Sequence, residues 1–146
     1  METKFNFKSQ PCTSREQSER LLALGLKKET ADMCWTKVGT KSRTFYVPEL
    51  APINMVSWRH TPAWSLHRLW CLLPRYITIV THYEYGRKYK AELDLTMDSY
   101  QNVCYLEGVD EPCYYMSFFA NDAYESICKA IEWLIKEGYF IKEYLV

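Results

Sequence analysis

The chain has 146 residues, of which 48% are hydrophobic and 25% charged, and this composition is typical of one globular domain spanning residues 1–146. Its 18 basic and 18 acidic residues give no formal net charge, which argues against nucleic-acid binding, because proteins that bind the phosphate backbone usually carry a basic excess. No apolar run approaches the length of a membrane span, and the polar N-terminus lacks a signal-peptide core, so we expect a cytoplasmic protein with no membrane contact.

The first 58 residues predict two short helices followed by irregular structure. Ser14 and Gln17 have the spacing of a capping box at the start of the first helix. A second helical turn is predicted over residues 27–35. Residues 37–43 lack periodicity and are predicted to be a loop, and residues 45–58, with two prolines, to be irregular or edge-like.

Residues 61–74, T-P-A-W-S-L-H-R-L-W-C-L-L-P, are predicted to form one short helix. Thr61 can cap its first turn, and Pro62 fits the first helical position because the N–H that proline lacks would be unpaired there. Pro74 cannot continue the helix. Spacing at i, i+3, i+4 and i+7 predicts a stripe facing the core, made of Leu66, Leu69, Trp70 and Leu73.

The middle of the chain predicts four consecutive strands. Residues 76–85 are rich in Ile, Val, Thr and Tyr, and residues 89–97 alternate strictly between apolar and polar side chains. Two further strands are predicted over residues 100–107 and 113–119. Because the connections between these strands are short, they favour an antiparallel meander.

A C-terminal helix completes the predicted fold. Asn121 or Asp122 is expected to cap it and Gly138 to end it, and residues 139–146 then form a terminal strand or a docked tail. The fold class is therefore α+β: a meander of about four strands packed against short N-terminal helices, a central short helix and this last helix. The predicted core consists of Leu66, Trp70, Leu73, Leu93, Leu95, Ile127, Ile131 and Leu134.

The six cysteines are spread along the chain, and none belongs to a C-x-x-C pair. Their spacing matches neither a zinc site nor a dense disulfide framework, so we expect reduced thiols, no metal and no cofactor. They are Cys12, Cys34, Cys71, Cys104, Cys113 and Cys128.

Few residues are candidates for catalysis. His67 and Cys71 lie four apart on the predicted central helix, where they could act as base and nucleophile. We expect Cys71 to be inert, however, because its apolar neighbours would raise the pKa of the thiol. Glu92 and Asp94 are expected to lie on the solvent face of their strand, and no nucleotide-binding, hydrolase or metalloprotease motif occurs. The protein is therefore not expected to be an enzyme.

Tyrosines of the predicted sheet are the remaining candidates for a binding surface. Tyrosine rings can stack on bases or anchor a protein partner, although they are also common in strands. The candidate binding residues are Tyr83, Tyr85, Arg87, Tyr100, Tyr105 and Tyr114.

Three segments carry a resemblance to known proteins. They are E-Q-S-E-R-L-L-A-L-G-L-K-K-E-T-A-D-M (16–33), T-P-A-W-S-L-H-R-L (61–69) and A-I-E-W-L-I-K-E-G-Y (130–139). In order and spacing they resemble a group of small uncharacterised proteins from Bacteroides-type genomes and their phages or mobile elements. The resemblance implies an intracellular protein of bacterial or phage origin, and it implies no activity.

Three functions are compatible with these features. The leading hypothesis is a non-enzymatic interaction protein, an accessory factor of a phage or mobile element, whose partner is another protein or a second copy and which presents a flat exposed apolar or aromatic patch. The second is a small-ligand binder that holds a nucleotide between tyrosines and Arg75, Arg87 and Lys88 in a concave pocket. The third is an enzyme that uses Cys71 or His67 in a cleft.

Overall fold

Two antiparallel sheets and three α-helices make up the described part of the chain. The computed structural model describes residues 9–82, 88–98, 103–108 and 114–146. In chain order the elements are α1 (Arg15–Ala23), β1 (Met33–Thr40), β2 (Arg43–Leu50), β3 (His60–Ala63), α2 (Leu66–Leu72), β4 (Tyr76–His82), β5 (Lys88–Asp98), β6 (Val103–Gly108), β7 (Tyr114–Phe119) and α3 (Ala123–Lys136).

The larger sheet is the predicted meander. Its four strands pair in the order β4-β5-β6-β7, every pair antiparallel. The strict alternation over residues 89–97 falls within β5. The prediction of an α+β fold with an antiparallel meander is therefore confirmed.

The smaller sheet, ordered β2-β1-β3, corrects the predictions for residues 27–35 and 37–43, whereas residues 45–50 belong to an edge strand, as predicted. Only Lys28–Thr30 form a helical turn, of 3₁₀ type, and residues 33–35 lie in β1. The predicted loop over residues 37–43 is instead the end of a β-hairpin. Its strands show no apolar face in the sequence because this end of the hairpin is largely exposed to solvent. Pro48 fits β2 because β2 is an edge strand, where a missing N–H is tolerated.

The central helix starts later than predicted. Thr61 and Pro62 do not cap it, because they lie in β3 opposite Trp35 and Cys34. The N-cap is Ser65, whose hydroxyl accepts a hydrogen bond from the backbone N–H of Arg68 at 3.1 Å. The helix ends before Pro74, as predicted.

The other helix ends agree with the sequence. Ser14 and Gln17 form the complete capping box of α1. Asp122 caps α3 by accepting from the N–H of Glu125 at 2.8 Å, and Gly138 follows the helix with a φ of 79°. The C-terminal residues form a docked tail, since a bridge joins Leu145 to Leu26.

The core is one cluster formed by the larger sheet and all three α-helices, and Trp64, directly after β3, joins it from the side of the smaller sheet. Of the predicted core, Leu73, Leu95, Ile127, Ile131 and Leu134 are buried. Two predictions on α2 are wrong: the helix buries Leu69 and Leu72, whereas Leu66 is half-buried and Trp70 is 38% exposed. The predicted stripe fails because Leu73 is the C-cap with an extended backbone, so it does not continue the helical spacing from Leu66 and Trp70. The side chain of Leu93 lies outside the described part of the structure.

A buried polar network anchors the smaller sheet to this core. The indole N–H of the fully buried Trp64 donates to the hydroxyl of Thr30 at 2.9 Å. The backbone N–H of Thr13 donates to the carbonyl of Trp64 at 2.8 Å, and the indole N–H of Trp35 donates to the carbonyl of Thr13 at 2.8 Å. These bonds fix the base of β1, so the hairpin projects from a rigid support.

Candidate functional site

Most of the tyrosine surface predicted from the sequence lies outside the described residues: Tyr83, Tyr85, Arg87 and Tyr100. Tyr105 and Tyr114 are on the neighbouring strands β6 and β7, where the register places Tyr105 opposite Ser117 and Tyr114 opposite Glu107. The binding role of these tyrosines stays a prediction. Of the cations proposed to assist them, Arg75 is exposed just before β4 and Lys88 begins β5.

His67 and Cys71 do form a pair on α2. The Sγ atom of Cys71 lies 3.5 Å from Nε2 of His67. The expectation that Cys71 would be enclosed by apolar neighbours is wrong, because α2 turns Leu69 and Leu72 inward and leaves Cys71 exposed. The pair is therefore open to solvent on the outside of the helix.

The other described cysteines are buried and free, namely Cys12, Cys34, Cys104 and Cys128. Burial raises the pKa of the Cys12 thiol to about 11, with nearby Asp32 adding to the effect, and it raises the pKa of Cys104 and of Cys128 to about 12. A thiol with so high a pKa has almost no nucleophilic thiolate near neutral pH. Cys113 lies outside the described residues.

Among the residues that the structure describes, no three His, Cys, Asp or Glu side chains come together in a group that could hold a metal ion. Within that same part of the chain, no helix has both the length and the apolar character needed to cross a membrane.

An open depression of about 440 Å³ lies between the 3₁₀ helix and the segment after β2. Its lining includes Lys28, Glu29, Ala51, Ile53 and Asn54.

A strip of exposed apolar side chains runs from the end of β2 towards β3. Leu50 is 79% exposed, Ile53 is fully exposed, Val56 is 42% exposed and Trp58 is 74% exposed. We call these four residues the apolar strip. Residues 50–58 contain no charged side chain. Single exposed apolar residues are ordinary, but such a concentration in one segment is typical of an interaction surface.

Hydrogen bonds hold the segment that carries the apolar strip in place. The N–H of Ala51 donates to the carbonyl of Asp32 at 3.0 Å. The backbone N–H of Val56 donates to Nδ1 of His60 at 3.0 Å, and its carbonyl accepts from the N–H groups of Arg59 and His60. The turn that exposes Trp58 is therefore fixed by the protein itself.

The second prominent surface is the projecting end of the β1–β2 hairpin, residues 37–46, which we call the basic hairpin. Its paired rows run from Lys37 opposite Tyr46 to Thr40 opposite Arg43, and Lys41 lies in the turn. Phe45 is 51% exposed. Gly39, in β1 opposite Thr44, has a φ of 113°, and a Cβ there would overlap the carbonyl oxygen of Arg43, so this position requires glycine.

Cations line the base of the basic hairpin. The guanidinium carbon of Arg15 lies 3.5 Å from the centre of the Tyr46 ring, a cation–π contact. Tyr46 is opposite Lys37, whose N–H donates to the carbonyl of Arg59 at 2.8 Å. Ring and backbone contacts therefore bring three basic residues into one row at the base of the hairpin: Arg15 by its guanidinium, and Lys37 and Arg59 by their main chains.

No residue of either surface was among the candidate binding residues derived from the sequence. The sequence did contain a pattern that indicates the apolar strip, namely an uncharged segment with widely spaced large apolar residues.

Comparison of the chain with protein-family models found no match, and comparisons with curated proteins and with solved structures found none either. The function can therefore be inferred only from the residues and surfaces described above.

Proposed function

We propose that the protein is a non-enzymatic binding protein whose apolar strip docks onto another protein. The observation that carries this proposal is the exposure of Leu50, Ile53, Val56 and Trp58 along one uncharged segment. Burying one such side chain against a partner is worth about 1.5–3 kcal/mol, and tryptophan is enriched among the residues that dominate binding energy. The hydrogen bonds around Val56 support the proposal because a pre-organised segment loses little entropy on binding.

The small sheet favours a different protein over a second copy as the partner. Two copies could extend the sheet by pairing their β2 edges, since β2 is the edge strand beside the apolar strip. Pro48 lies within β2 and has no N–H to donate, so it interrupts such a ladder. We therefore expect the side chains of the apolar strip, and not the β2 backbone, to contact the partner.

Site-specific photo-crosslinking in the native host tests the proposal. A photo-reactive amino acid at Ile53 should give a discrete crosslinked product, and Trp58→Ser in the same chain should remove it. The same amino acid at exposed Glu137, beyond α3, serves as the control and should give no such product. Absence of a product at position 53, or persistence of the product in Trp58→Ser, would contradict the proposal. A product of twice 17.4 kDa would identify a second copy as the partner instead.

One observation favours small-ligand binding as a second candidate function. The depression of about 440 Å³ has a volume within the usual range for ligand sites, about 300–1,000 Å³, and Lys28, Glu29 and Asn54 give it polar groups. Native mass spectrometry of protein purified from its host distinguishes the two functions. A retained small molecule that is lost in Lys28→Ala would favour the ligand binder, and the mass of the bare chain would favour the interaction protein.

Catalysis by His67 and Cys71 has less support. The two side chains are exposed on a helix, and neither lines the described depression. A catalytic pair needs a place where substrate is held and water is excluded. The apolar strip therefore remains the better basis for a function.

A further inference from the structure

The zero net charge of the chain conceals two segments of opposite charge. Residues 33–75 contain six basic residues and one acidic residue, Glu49, whereas residues 76–146 contain six basic and twelve acidic residues. Electrostatic attraction in salt solution acts over a Debye length of about 10 Å, so a binding partner responds to local charge and not to the total. The basic residues are Lys37, Lys41, Arg43, Arg59, Arg68 and Arg75.

The basic hairpin carries three of these six charges. Because side chains alternate along a strand, Lys37 and Arg43 lie on opposite faces of the hairpin, and Lys41 is at its tip. All three side chains are exposed, and within the described residues none of them forms an ion pair. They are therefore available to an anionic partner.

The row at the base of the hairpin adds to this charge. Arg15 is held against Tyr46 by its ring contact, and its Nε atom is buried with no hydrogen-bond partner among the described residues. Acidic neighbours are few: Glu16 follows Arg15 on α1 and is exposed, and Glu49 accepts a hydrogen bond from the hydroxyl of Thr36 at 2.9 Å. Side chains alternate between the two faces along each strand, and Thr36 is next to Lys37 in β1. The Glu49 carboxylate bonds to Thr36, so Glu49 lies on the face opposite Lys37.

The dimensions of the hairpin fit the major groove of DNA. Four paired rows and the turn, with a rise of about 3.4 Å per residue, project about 10–13 Å from the sheet. The major groove of B-form DNA is about 8.5 Å deep and about 12 Å wide, and it admits a two-stranded ribbon. The hairpin is long enough to reach the groove floor while cations on its two faces meet phosphates on both walls. The major groove of A-form RNA is too narrow for this fit.

We propose that the basic hairpin binds double-stranded DNA by entering the major groove. Lys37 and Arg43, on the two faces, contact phosphates on the walls, and Lys41 at the tip reaches base-edge acceptors on the groove floor. Phe45 presents an apolar edge inside the groove, where thymine methyl groups lie. Binding through the hairpin adds to the proposed docking function, because the hairpin and the apolar strip are separate surfaces.

Fluorescence anisotropy of the full chain with a labelled 30-base-pair duplex tests this assignment. Neutralising the tip in the double variant Lys41→Gln/Arg43→Gln should weaken binding at least tenfold at low salt. It should also reduce the slope of log affinity against log salt by about 1, since Arg43 is the phosphate contact that is lost and each such contact contributes about 0.9. The control Lys136→Gln/Lys142→Gln removes the same charge from exposed positions distant in sequence from the hairpin, and it should change affinity less than twofold.

Three outcomes would overturn the proposal. Equal weakening by the two double variants would show a response to total charge alone. Tighter binding to single-stranded DNA of the same length would exclude groove entry. Competition by polyglutamate at the same charge concentration would indicate an acidic protein as the partner. Because Lys41 and Arg43 lie outside the apolar strip, crosslinking from Ile53 should persist in Lys41→Gln/Arg43→Gln, so failure of DNA binding leaves the proposed function to be judged separately.

Discussion

The carboxylate of Asp32 accepts hydrogen bonds from both the backbone N–H and the hydroxyl of Ser65, at 2.9 and 2.5 Å. This contact joins the segment before β1 to the N-cap of α2. It also orients the Ser65 hydroxyl, whose oxygen accepts from the N–H of Arg68. The start of α2 is thus determined by a residue 33 positions earlier in the chain.

Replacing Asp32 should therefore destabilise α2. Asp32→Ala leaves two partly buried donors of Ser65 without their acceptor and should lower the free energy of unfolding by about 1–3 kcal/mol. Urea denaturation measures the loss, with Glu29→Ala as a nearby exposed control. The double variant Asp32→Ala/Ser65→Ala should lose less than the sum of the single variants, because both remove one network. Strict additivity would contradict this role for Asp32.

Substitutions on α2 test which face of the helix is buried. Leu69 is fully buried and Leu66 only half-buried, so Leu69→Ala should cost about 2–5 kcal/mol of unfolding free energy and Leu66→Ala clearly less. Thermal and urea unfolding of the two variants measure the difference. A larger loss in Leu66→Ala would restore the helix face predicted from the sequence.

Acid should weaken the contact between α1 and α3. Burial acts to raise the pKa of Glu125, but hydrogen bonds from Gln17 and Arg20 outweigh it and hold that pKa below its ordinary value of 4.5. A depressed pKa gives stability that is complete above 4.5 and is lost as the pH falls through the lower folded-state value. Unfolding free energy should thus fall more steeply below pH 4.5 in the wild type than in Glu125→Gln. If the unfolding free energies of the wild type and Glu125→Gln fell in parallel with pH, the proposed contribution of Glu125 would be wrong.

The position of Gly39 in the basic hairpin should not tolerate a side chain. Gly39→Ala combines a positive φ with an overlap on the Arg43 carbonyl, so amide hydrogen exchange over residues 37–46 should accelerate. Gly138→Ala is the matched control, because its φ is also positive but its Cβ meets no atom within 4 Å. Hydrogen-exchange mass spectrometry should show the larger local effect for Gly39→Ala. Equal effects would mean that the overlap is relieved without cost.

Thiol reactivity should follow exposure. Cys71 is exposed, whereas Cys12, Cys104 and Cys128 are buried with raised pKa values. Alkylation of the native protein should therefore modify Cys71 before the other cysteines that the structure describes. Peptide mass spectrometry after timed alkylation measures the order of modification.

The variant His67→Gln should leave partner crosslinking from Ile53 unchanged. Loss of that crosslinking with an unaltered thermal melt would favour the enzyme hypothesis.

Local signals in the sequence predicted the meander and the helix caps. The alternation over residues 89–97 and the capping residues Ser14 and Asp122 depend on neighbours a few positions away. The α2 cap could not be found in this way, because Ser65 is selected over Thr61 through the distant Asp32 and through the pairing of β3 with β1. The sequence pattern near Thr61 was also compatible with a cap.

The candidate surfaces escaped prediction for a different physical reason. A strand with both faces in water has no apolar period, so residues 37–43 resembled a loop. The net charge of the whole chain does not reveal the positive charge of the basic hairpin, because acidic residues after position 75 cancel it in the total. A running count of charge along the chain would have revealed it.

The contrast between Trp58 and Trp64 gives the molecule an intrinsic optical reporter. Trp58 belongs to the apolar strip and is largely in water, whereas Trp64 is sealed in the core. Indole emission shifts to shorter wavelength when water is removed from the ring, so covering the strip should change the signal of Trp58 and leave that of Trp64 constant. In Trp70→Phe, which removes the other exposed indole of the described residues, acrylamide quenching would therefore report occupancy of the strip without any attached dye.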